Sequence, residues 1–339
     1  MKAAGTQRGF NLPELLIALV IGLLLLASFI TVVVQCRGQF ATGESLARLE
    51  DTARSALGAL TDDVEHAGFY GFSNAAVPRL VRAGTTLADA ESLRQGDAAT
   101  PVAGLPAGAH DCGVNFAVDL SRPVEGADNH FGVGRGARDC APTAGAGGAH
   151  AGSDTLTVRH AALETTAPRA GRLQLYSRRL ATHAALDIFA DGAAAGPIAE
   201  DAEVRDLELH TWYIANDSVD RPGWPALRMK SLTESRGAAQ FRDEEVMPGV
   251  EDLQVEFAVP DPADASRVRF FAPDSPGARG ARVLGVRLWL RVRSEVTEGG
   301  YNDTRALTYA GTTFTPDAGE ARQRRRLIER TVALRNVSP

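Results

Sequence analysis

The sequence lacks several features that would indicate an enzyme or a nucleic-acid-binding protein. Lys and Arg total 36 against 42 Asp and Glu, so the net charge of −6 gives no bulk attraction to nucleic acid or anionic lipid. It contains neither an HExxH nor a Gly-x-Ser-x-Gly motif, and its seven histidines include no pair at helical metal-ligand spacing. No period of about 20 to 50 residues repeats, which excludes a solenoid. We therefore expect a non-enzymatic protein without a metal or cofactor.

What the sequence does contain is one long apolar run. Leu15 to Val34 is a twenty-residue stretch, long enough to cross a hydrocarbon core of about 30 Å. Lys2 and Arg8 precede it with no acid between them, so the positive-inside rule places residues 1–9 in the cytoplasm. Everything after Val34 then lies outside that membrane.

Two other interpretations of this run are a cleaved secretory signal and a lipoprotein signal that carries its lipid on Cys36. The apolar region of a signal peptide has about 7–15 residues and ends at small residues, whereas this run ends in three valines. Gln35 is not the small residue that a lipoprotein site requires before its cysteine. We favour a membrane-spanning helix, with Cys36 as a small apolar residue at its outer boundary.

Cysteine is scarce, with three in the chain. Cys112 and Cys140 lie in a glycine-rich region, where a bridge between them would close a loop of about 28 residues. Such a bridge would stabilise the protein by about 3–4 kcal/mol and would suit an exported chain.

The helical pattern continues beyond the membrane-length run. Apolar residues recur there every three or four positions and form one stripe of an amphipathic helix, made of Leu46, Leu49, Ala53, Ala56, Leu57, Leu60, Val64 and Ala67. Charged residues, including Asp63, stand between them and are expected on the polar side. Gly68 is a suitable residue for the helix C-terminus. We expect one helix from Phe10 to Ala67, apolar all round in its first half and on one side in its second.

Alternating patterns separated by turn residues predict strands in the second half of the chain, at 154–161, 172–180, 202–215, 225–234, 249–259, 282–296, 307–315 and 325–337. Within 282–296 the apolar residues alternate with Arg287, Arg291 and Arg293, as in an antiparallel strand with one buried face.

These elements predict an α+β protein. A membrane helix at 10–34 continues into an amphipathic half at 35–68, and residues 69–153 are loop-rich and irregular. An antiparallel β domain at 154–339 is expected to pack on the amphipathic half of the helix.

The N-terminus carries a recognisable combination of residues: a short basic leader, Gly9 followed by Phe10, Glu14 four residues later, and the apolar helix. This combination resembles the leader of type IV pilins and pseudopilins. The resemblance implies that residues 1–9 are a leader, that a prepilin peptidase cuts after Gly9, and that Phe10 becomes the N-methylated first residue. It also implies a pilin-like fold and an assembly role for Glu14, whose carboxylate pairs with the Phe10 amine of a neighbouring subunit.

A carboxylate at membrane depth costs at least about 2.5–3.5 kcal/mol, which is why a partner is expected for Glu14. The alternative is a side chain that extends to the lipid headgroups without a partner.

Several stretches resemble the minor pilin family PilW: "LARLEDTARSALGALTDDVEHAGFYG", "GSDTLTVRHA", "VMPGVEDLQVEF" and the closing "TVALRN". The resemblance implies a minor pilin in the inner membrane, with its C-terminal domain in the periplasm. It would contact other minor pilins and the major pilin through its N-terminal helix, and a tip adhesin is a further candidate partner. It would prime assembly and sit at or near the tip of a pilus used for twitching motility, adhesion or DNA uptake. The alternative is a J-type minor pseudopilin of type II secretion, which "PGVEDLQVEF" also resembles.

One basic cluster, "RQRRRLIER", lies near the C-terminus at 322–330. Arg322, Arg324, Arg325 and Arg326 could contact nucleic acid or another surface at a pilus tip. A phosphate-binding patch usually has aromatic residues or more cations nearby. Arginines that discourage pairing at a sheet edge explain the cluster equally well.

Overall fold

The computed structural model describes residues 11–72, 80–82, 117–120, 122–132, 142–179, 184–189, 197–235 and 237–337. These residues form the helix α1, Leu12–His66, and 15 strands. All paired strands are antiparallel, which confirms the predicted α+β class.

The strands fall into three groups along the chain. The first group is β1 Leu80–Arg82, β2 Ala117–Asp119, β3 Val124–Ala127, β4 Thr155–Ala161, β5 Gln174–Arg179 and β6 Ala184–Phe189, with a 3-10 turn at Ala144–Ala146. The second is β7 Ala202–Ala215, β8 Ala226–Ser235, β9 Ala238–Pro248, β10 Val250–Asp261 and β11 Asp264–Phe271. The third is β12 Gly285–Thr297, β13 Leu307–Tyr309, β14 Thr312–Phe314 and β15 Gln323–Ala333.

Two sheets contain most of these strands. A seven-stranded sheet has the order β3-β4-β7-β5-β6, and β7 also pairs with β8, which pairs with β9. A four-stranded sheet has the order β11-β10-β12-β15. The remaining pairs are β1 with β2 and β13 with β14.

The chain forms two compact units, Met1–Arg48 and Leu49–Pro339. The main core of the second unit receives residues from the helix and from both sheets. The helix supplies the buried residues Leu49, Ala53, Ala56, Leu60, Val64 and Ala67, which confirms these six members of the predicted stripe. The seven-stranded sheet supplies Leu156 and Trp212, and the four-stranded sheet supplies Leu253 and Leu288. Each fully buried leucine stabilises the fold by about 1.5–3 kcal/mol relative to an exposed one.

The C-terminal end of α1 is capped by distant parts of the chain. Gly68 has φ +78°, the left-handed conformation expected of the residue after a helix. Its N–H donates to the Arg159 carbonyl at 3.0 Å. The side-chain amide of Asn336 donates to the carbonyls of Glu65 and Ala67 at 3.3 and 3.4 Å. The Asn336 amide thus serves carbonyl groups at the helix end that lack a partner within the helix, while the Gly68 N–H ties this end to β4.

Asp154 joins the two sheets at the start of β4. Its N–H donates to the Leu253 carbonyl of β10 at 2.8 Å, and its carboxylate accepts the Val255 N–H at 2.7 Å. The same carboxylate accepts the N–H of Asn129 at 2.7 Å. Because the side chain is buried, these three bonds hold one edge of the core in register.

The structure differs from the sequence-based expectation in several strands. β6, β9 and β11 were not predicted, and the short strands β1, β2 and β3 lie in the stretch 69–153 that was expected to be irregular. In β12, the alternation predicted solvent exposure for the arginines. Arg291 and Arg293 are instead buried, because acidic side chains from neighbouring segments neutralise both.

Candidate functional site

The first candidate site is the head of α1, around Glu14. Asn11 precedes the helix, and its backbone N–H donates to Glu14 Oε2 at 3.1 Å, while the Glu14 N–H donates to the Asn11 carbonyl at 2.9 Å. The carboxylate therefore caps its own helix, as a glutamate in the first turn does in a capping box. Glu14 is exposed, so a partner from outside the chain can reach it.

The residues that follow Glu14 form an uncovered apolar surface. Leu15, Leu19 and Leu25 are 61%, 55% and 66% exposed, and others of the run are similar. Within the described residues, α1 is the one helix long and apolar enough to cross a membrane. It fits a single-pass membrane anchor, because a helix that is apolar all round is stable only where lipid or protein covers it.

The second candidate site is a buried cluster on the other half of α1, formed by Asp63, His160 of β4, and His210 and Trp212 of β7. Asp63 Oδ1 lies 2.9 Å from His160 Nε2 and 2.6 Å from His210 Nδ1. Trp212 Nε1 donates to Asp63 Oδ2 at 2.5 Å. We call these four residues the Asp63 cluster. It fastens the helix to two neighbouring strands of the seven-stranded sheet.

Charge holds the Asp63 cluster together. Burial alone raises the pKa of Asp63, but the charge and hydrogen bonds of His210 and His160 lower that pKa well below its usual range. Burial lowers the pKa of His210, yet Asp63 and Glu208 outweigh it and raise the pKa to about 10. Glu208 in turn contacts Arg172, whose Nη2 lies 2.9 Å from Glu208 Oε1. Opposite charges thus alternate along the chain of contacts, as a buried ion pair requires.

Sequence reasoning missed this cluster. It placed Asp63 among the polar residues that face solvent, whereas the side chain is 6% exposed. Asp63 lies three positions after Leu60, on the buried side of the helix, and this spacing was the available local signal. His160 and His210 are 97 and 147 residues away from Asp63, so their arrival at one carboxylate depends on the pairing of β4 with β7.

The predicted basic cluster divides between the surface and the interior. Arg322 lies just before β15 and is exposed. Arg324 contacts Glu298 at 2.8 Å, and Arg326, about half exposed, contacts Glu50 of α1 at 2.9 Å. Arg325 is fully buried and forms ion pairs with Glu251 at 2.8 Å and Glu320 at 2.7 Å.

β15 is an edge strand of the four-stranded sheet, where charged residues are common because they discourage pairing with other chains. Arg325 is committed to the interior of the protein. A nucleic-acid contact through the other three arginines stays a prediction.

Other predicted site residues fall outside the described part of the chain. Gly9 and Phe10 precede it, and Cys112 and Cys140 lie in a gap between described ranges. The cleavage site and the disulfide therefore stay predictions. Cys36 lies on α1 with an exposed, free thiol.

Comparison with known proteins finds a family that is similar to part of this chain. Residues 211–336 match the model of the family PilW, the type IV pilus-assembly protein W. The chain is PilW-like. A solved type IV-like pilin from Thermus thermophilus is similar over 59% of this chain and 83% of its own, at 13% identity and a TM-score of 0.27. No curated protein matches.

The matched part of the PilW-like chain begins within β7, at the strand that carries Trp212. It includes the whole four-stranded sheet and ends at Asn336, the residue that caps α1. The similarity to PilW therefore lies in the region that completes the core around the helix.

Proposed function

We propose that this PilW-like chain is a minor pilin. It joins other minor pilins in a complex that primes assembly of a type IV pilus and sits at or near the tip. The observation that carries the proposal is the family match over 211–336, in a chain that begins with a membrane-length helix bearing Glu14 at its head. The protein contributes surfaces and helix packing to the pilus, and its role is structural.

Maturation comes first in this proposal. The prepilin peptidase cleaves after Gly9 and Phe10 is N-methylated, which leaves a cationic amine close to the exposed Glu14. Residues 1–9 face the cytoplasm before cleavage, since Lys2 and Arg8 are their charged residues. Leu49–Pro339 then folds in the periplasm, where an oxidising environment supports a bridge between Cys112 and Cys140.

Assembly uses the exposed Glu14 carboxylate and the uncovered apolar side chains that follow it. The Glu14 carboxylate caps Asn11 within its own chain but is exposed, so a neighbouring subunit's amine can bind it as well. The apolar side chains beyond it pack against helices of other minor pilins and the major pilin once the subunit leaves lipid. The amine–carboxylate pair aligns the subunits, because an unpaired charge at that depth is costly.

The first test is the intact mass and N-terminal sequence of the protein purified from its native membrane. We expect a chain that begins at N-methylated Phe10, with a mass two hydrogens short for one disulfide. A chain that begins at Met1, or at a lipidated Cys36, would contradict the proposal.

The second test compares two carboxylates of the same helix. Glu14→Ala is expected to abolish piliation. Glu44→Ala is the matched control, because Glu44 is exposed and forms an i,i+4 pair with Arg48 at 2.7 Å. Normal piliation in the Glu14→Ala strain would remove the assembly role from Glu14.

Deletion of the gene separates the minor pilin from a J-type pseudopilin. We expect loss of surface pili, with twitching, adhesion or DNA uptake failing according to what the pilus does. Intact pili together with loss of exoprotein secretion would instead assign the chain to a type II secretion system.

A further inference from the structure

The Asp63 cluster has more acceptors than its two imidazoles can serve in their neutral form. His160 Nδ1 lies 2.9 Å from the Ala161 carbonyl and His160 Nε2 lies 2.9 Å from Asp63 Oδ1. Both oxygens only accept hydrogen bonds, and a neutral imidazole carries a single N–H. One of the two contacts of His160 therefore requires either a second proton or a bound cation.

His210 has the same arrangement. Its Nδ1 lies 2.6 Å from Asp63 Oδ1, and its Nε2 lies 3.4 Å from Glu208 Oε2. A single carboxylate oxygen on the helix is thus approached by one ring nitrogen from each of two adjacent strands. The ligand atoms of Asp63, His160 and His210 all lie within 4.8 Å of one another.

We propose that Asp63 Oδ1, His160 Nε2 and His210 Nδ1 bind a divalent transition metal ion of the zinc class, which bridges α1 to β4 and β7. The ion binds the ring nitrogen of each histidine that faces Asp63, and a proton held at that nitrogen is released to solvent. Each imidazole then keeps one N–H, directed at the Ala161 carbonyl or at Glu208. Such outer contacts are what orient histidine ligands in known metal sites.

The type of ligand selects the metal. Two imidazoles and one carboxylate suit Zn²⁺, Co²⁺ or Ni²⁺, whereas Ca²⁺ and Mg²⁺ take oxygen ligands. Trp212 donates to Asp63 Oδ2, which leaves Oδ1 as the ligand. The fourth position of a tetrahedral ion is left for water.

The hydrogen-bonded geometry must open slightly to admit the ion. Bonds of about 2.0–2.1 Å in a tetrahedral site place ligand atoms about 3.3 Å apart. The oxygen–nitrogen distances here are 2.6 and 2.9 Å, so the two nitrogens must withdraw by about 0.7 and about 0.4 Å. Because the cluster is buried, the ion enters as the protein folds.

The test uses the full chain in detergent, purified through a tag without histidine. The protein is unfolded in urea with EDTA, refolded with Co²⁺ or Zn²⁺, and desalted. We expect one ion per chain, an absorption spectrum typical of tetrahedral Co²⁺, and a raised Tm for the Zn²⁺ form. Wild-type protein that folds with no bound ion would overturn the proposal.

Variants locate the ion. His160→Gln and His210→Gln are expected to lose it, while His130→Gln is the matched control, since His130 is exposed and outside the cluster. Glu208→Gln should weaken binding about 10–100-fold through His210. Circular dichroism in EDTA checks that each variant folds. An ion retained by the folded His160→Gln and His210→Gln proteins would place it elsewhere and refute the site.

Discussion

Two stretches of α1, residues 12–34 and 49–66, differ in what covers their apolar side chains. Leu24 in the first is 64% exposed, and the rest of that run is similar. Leu60 and Val64 in the second are 0% exposed, because both sheets of their own chain cover them. The first stretch therefore depends on lipid or other proteins for its cover, and the second does not.

The two stretches also differ in the surroundings of their carboxylates. Glu14, at the head of the first stretch, is exposed, and among the described residues its carboxylate binds the Asn11 N–H of its own turn. Asp63, in the second, has three donors from two strands. One helix thus presents one acid to the outside, while strands of the same chain bury the other. The predictions that follow test this contrast in order of expected size.

The largest effect is expected where the Asp63 carboxylate is removed. Asp63→Ala leaves the buried His160 and Trp212 and the partly buried His210 without their common acceptor, so the free energy of unfolding should fall by about 3–5 kcal/mol. Asp62→Ala, one position away and exposed, should change it by less than about 0.5 kcal/mol. Urea unfolding of the detergent-solubilised chain in EDTA measures both. Equal losses in the free energy of unfolding for Asp63→Ala and Asp62→Ala would contradict the role of the Asp63 cluster in fastening the helix.

Two leucines compare the stretches directly. Leu60→Ala should destabilise the second unit by about 2–5 kcal/mol, because it leaves a cavity in the shared core. Leu24→Ala removes the same atoms from an exposed position and should leave urea unfolding within about 0.5 kcal/mol of wild type. A large effect of Leu24→Ala on the same transition would show that the first stretch is covered by its own chain.

The free energy of unfolding of the second unit should also depend on pH, because Asp154 titrates differently in the folded and unfolded chain. Burial raises the pKa of Asp154 from 3.8 to about 7, assisted by Asp128 and Asp252 and opposed by two backbone N–H groups. The folded protein therefore binds more protons than the unfolded chain between these values. The contribution of Asp154 to the free energy of unfolding is complete below pH 3.8. It is lost as the pH rises through 7, at no more than about 1.4 kcal/mol per pH unit.

Urea titrations from pH 4.5 to 6.5 avoid the lower range, where the lowered pKa of Asp63 acts in the opposite direction. Asp154→Asn should flatten the slope in this window, even though it lowers stability through a lost hydrogen bond. An unchanged slope would show that Asp154 does not titrate there.

The smallest effect is expected at the surface of the second unit. Glu50 and Arg326 form a pair at 2.9 Å, with side chains 36% and 53% exposed. A double-mutant cycle of Glu50→Gln and Arg326→Gln should give a coupling energy below about 1 kcal/mol that decreases with added salt. A coupling as large as the Asp63 effect would mean that exposure does not set the strength of these contacts.

The sequence predicted the elements whose pattern is local. The stripe from Leu49 to Ala67, the left-handed Gly68 and strands such as β4 and β7 follow from periodicity and turn residues. β9 escaped prediction because it is an edge strand rich in charge, with Arg242, Asp243, Glu244 and Glu245 in sequence. Its place is set by the neighbouring strand β8, which periodicity within β9 cannot reveal.

For site residues, too, the sequence supports predictions only where the pattern is local. The assembly role of Glu14 stays a prediction, drawn from a motif that occupies a few adjacent positions. The burial of Asp63, and of Arg291 beneath Phe314, depends on partners far away in the chain. An acidic residue or an arginine is predicted to lie at the surface as long as the segment that carries its oppositely charged partner is unknown.

The capping of α1 by Asn336 has a consequence for the time course of biosynthesis. Asn336 lies 271 residues after Glu65, whose carbonyl it binds. At ribosomal rates of about 5–20 residues per second, the end of the helix emerges roughly 15–50 s before its cap. During that interval the membrane can already hold the first stretch of the helix, while the second stretch still lacks the strands that cover it.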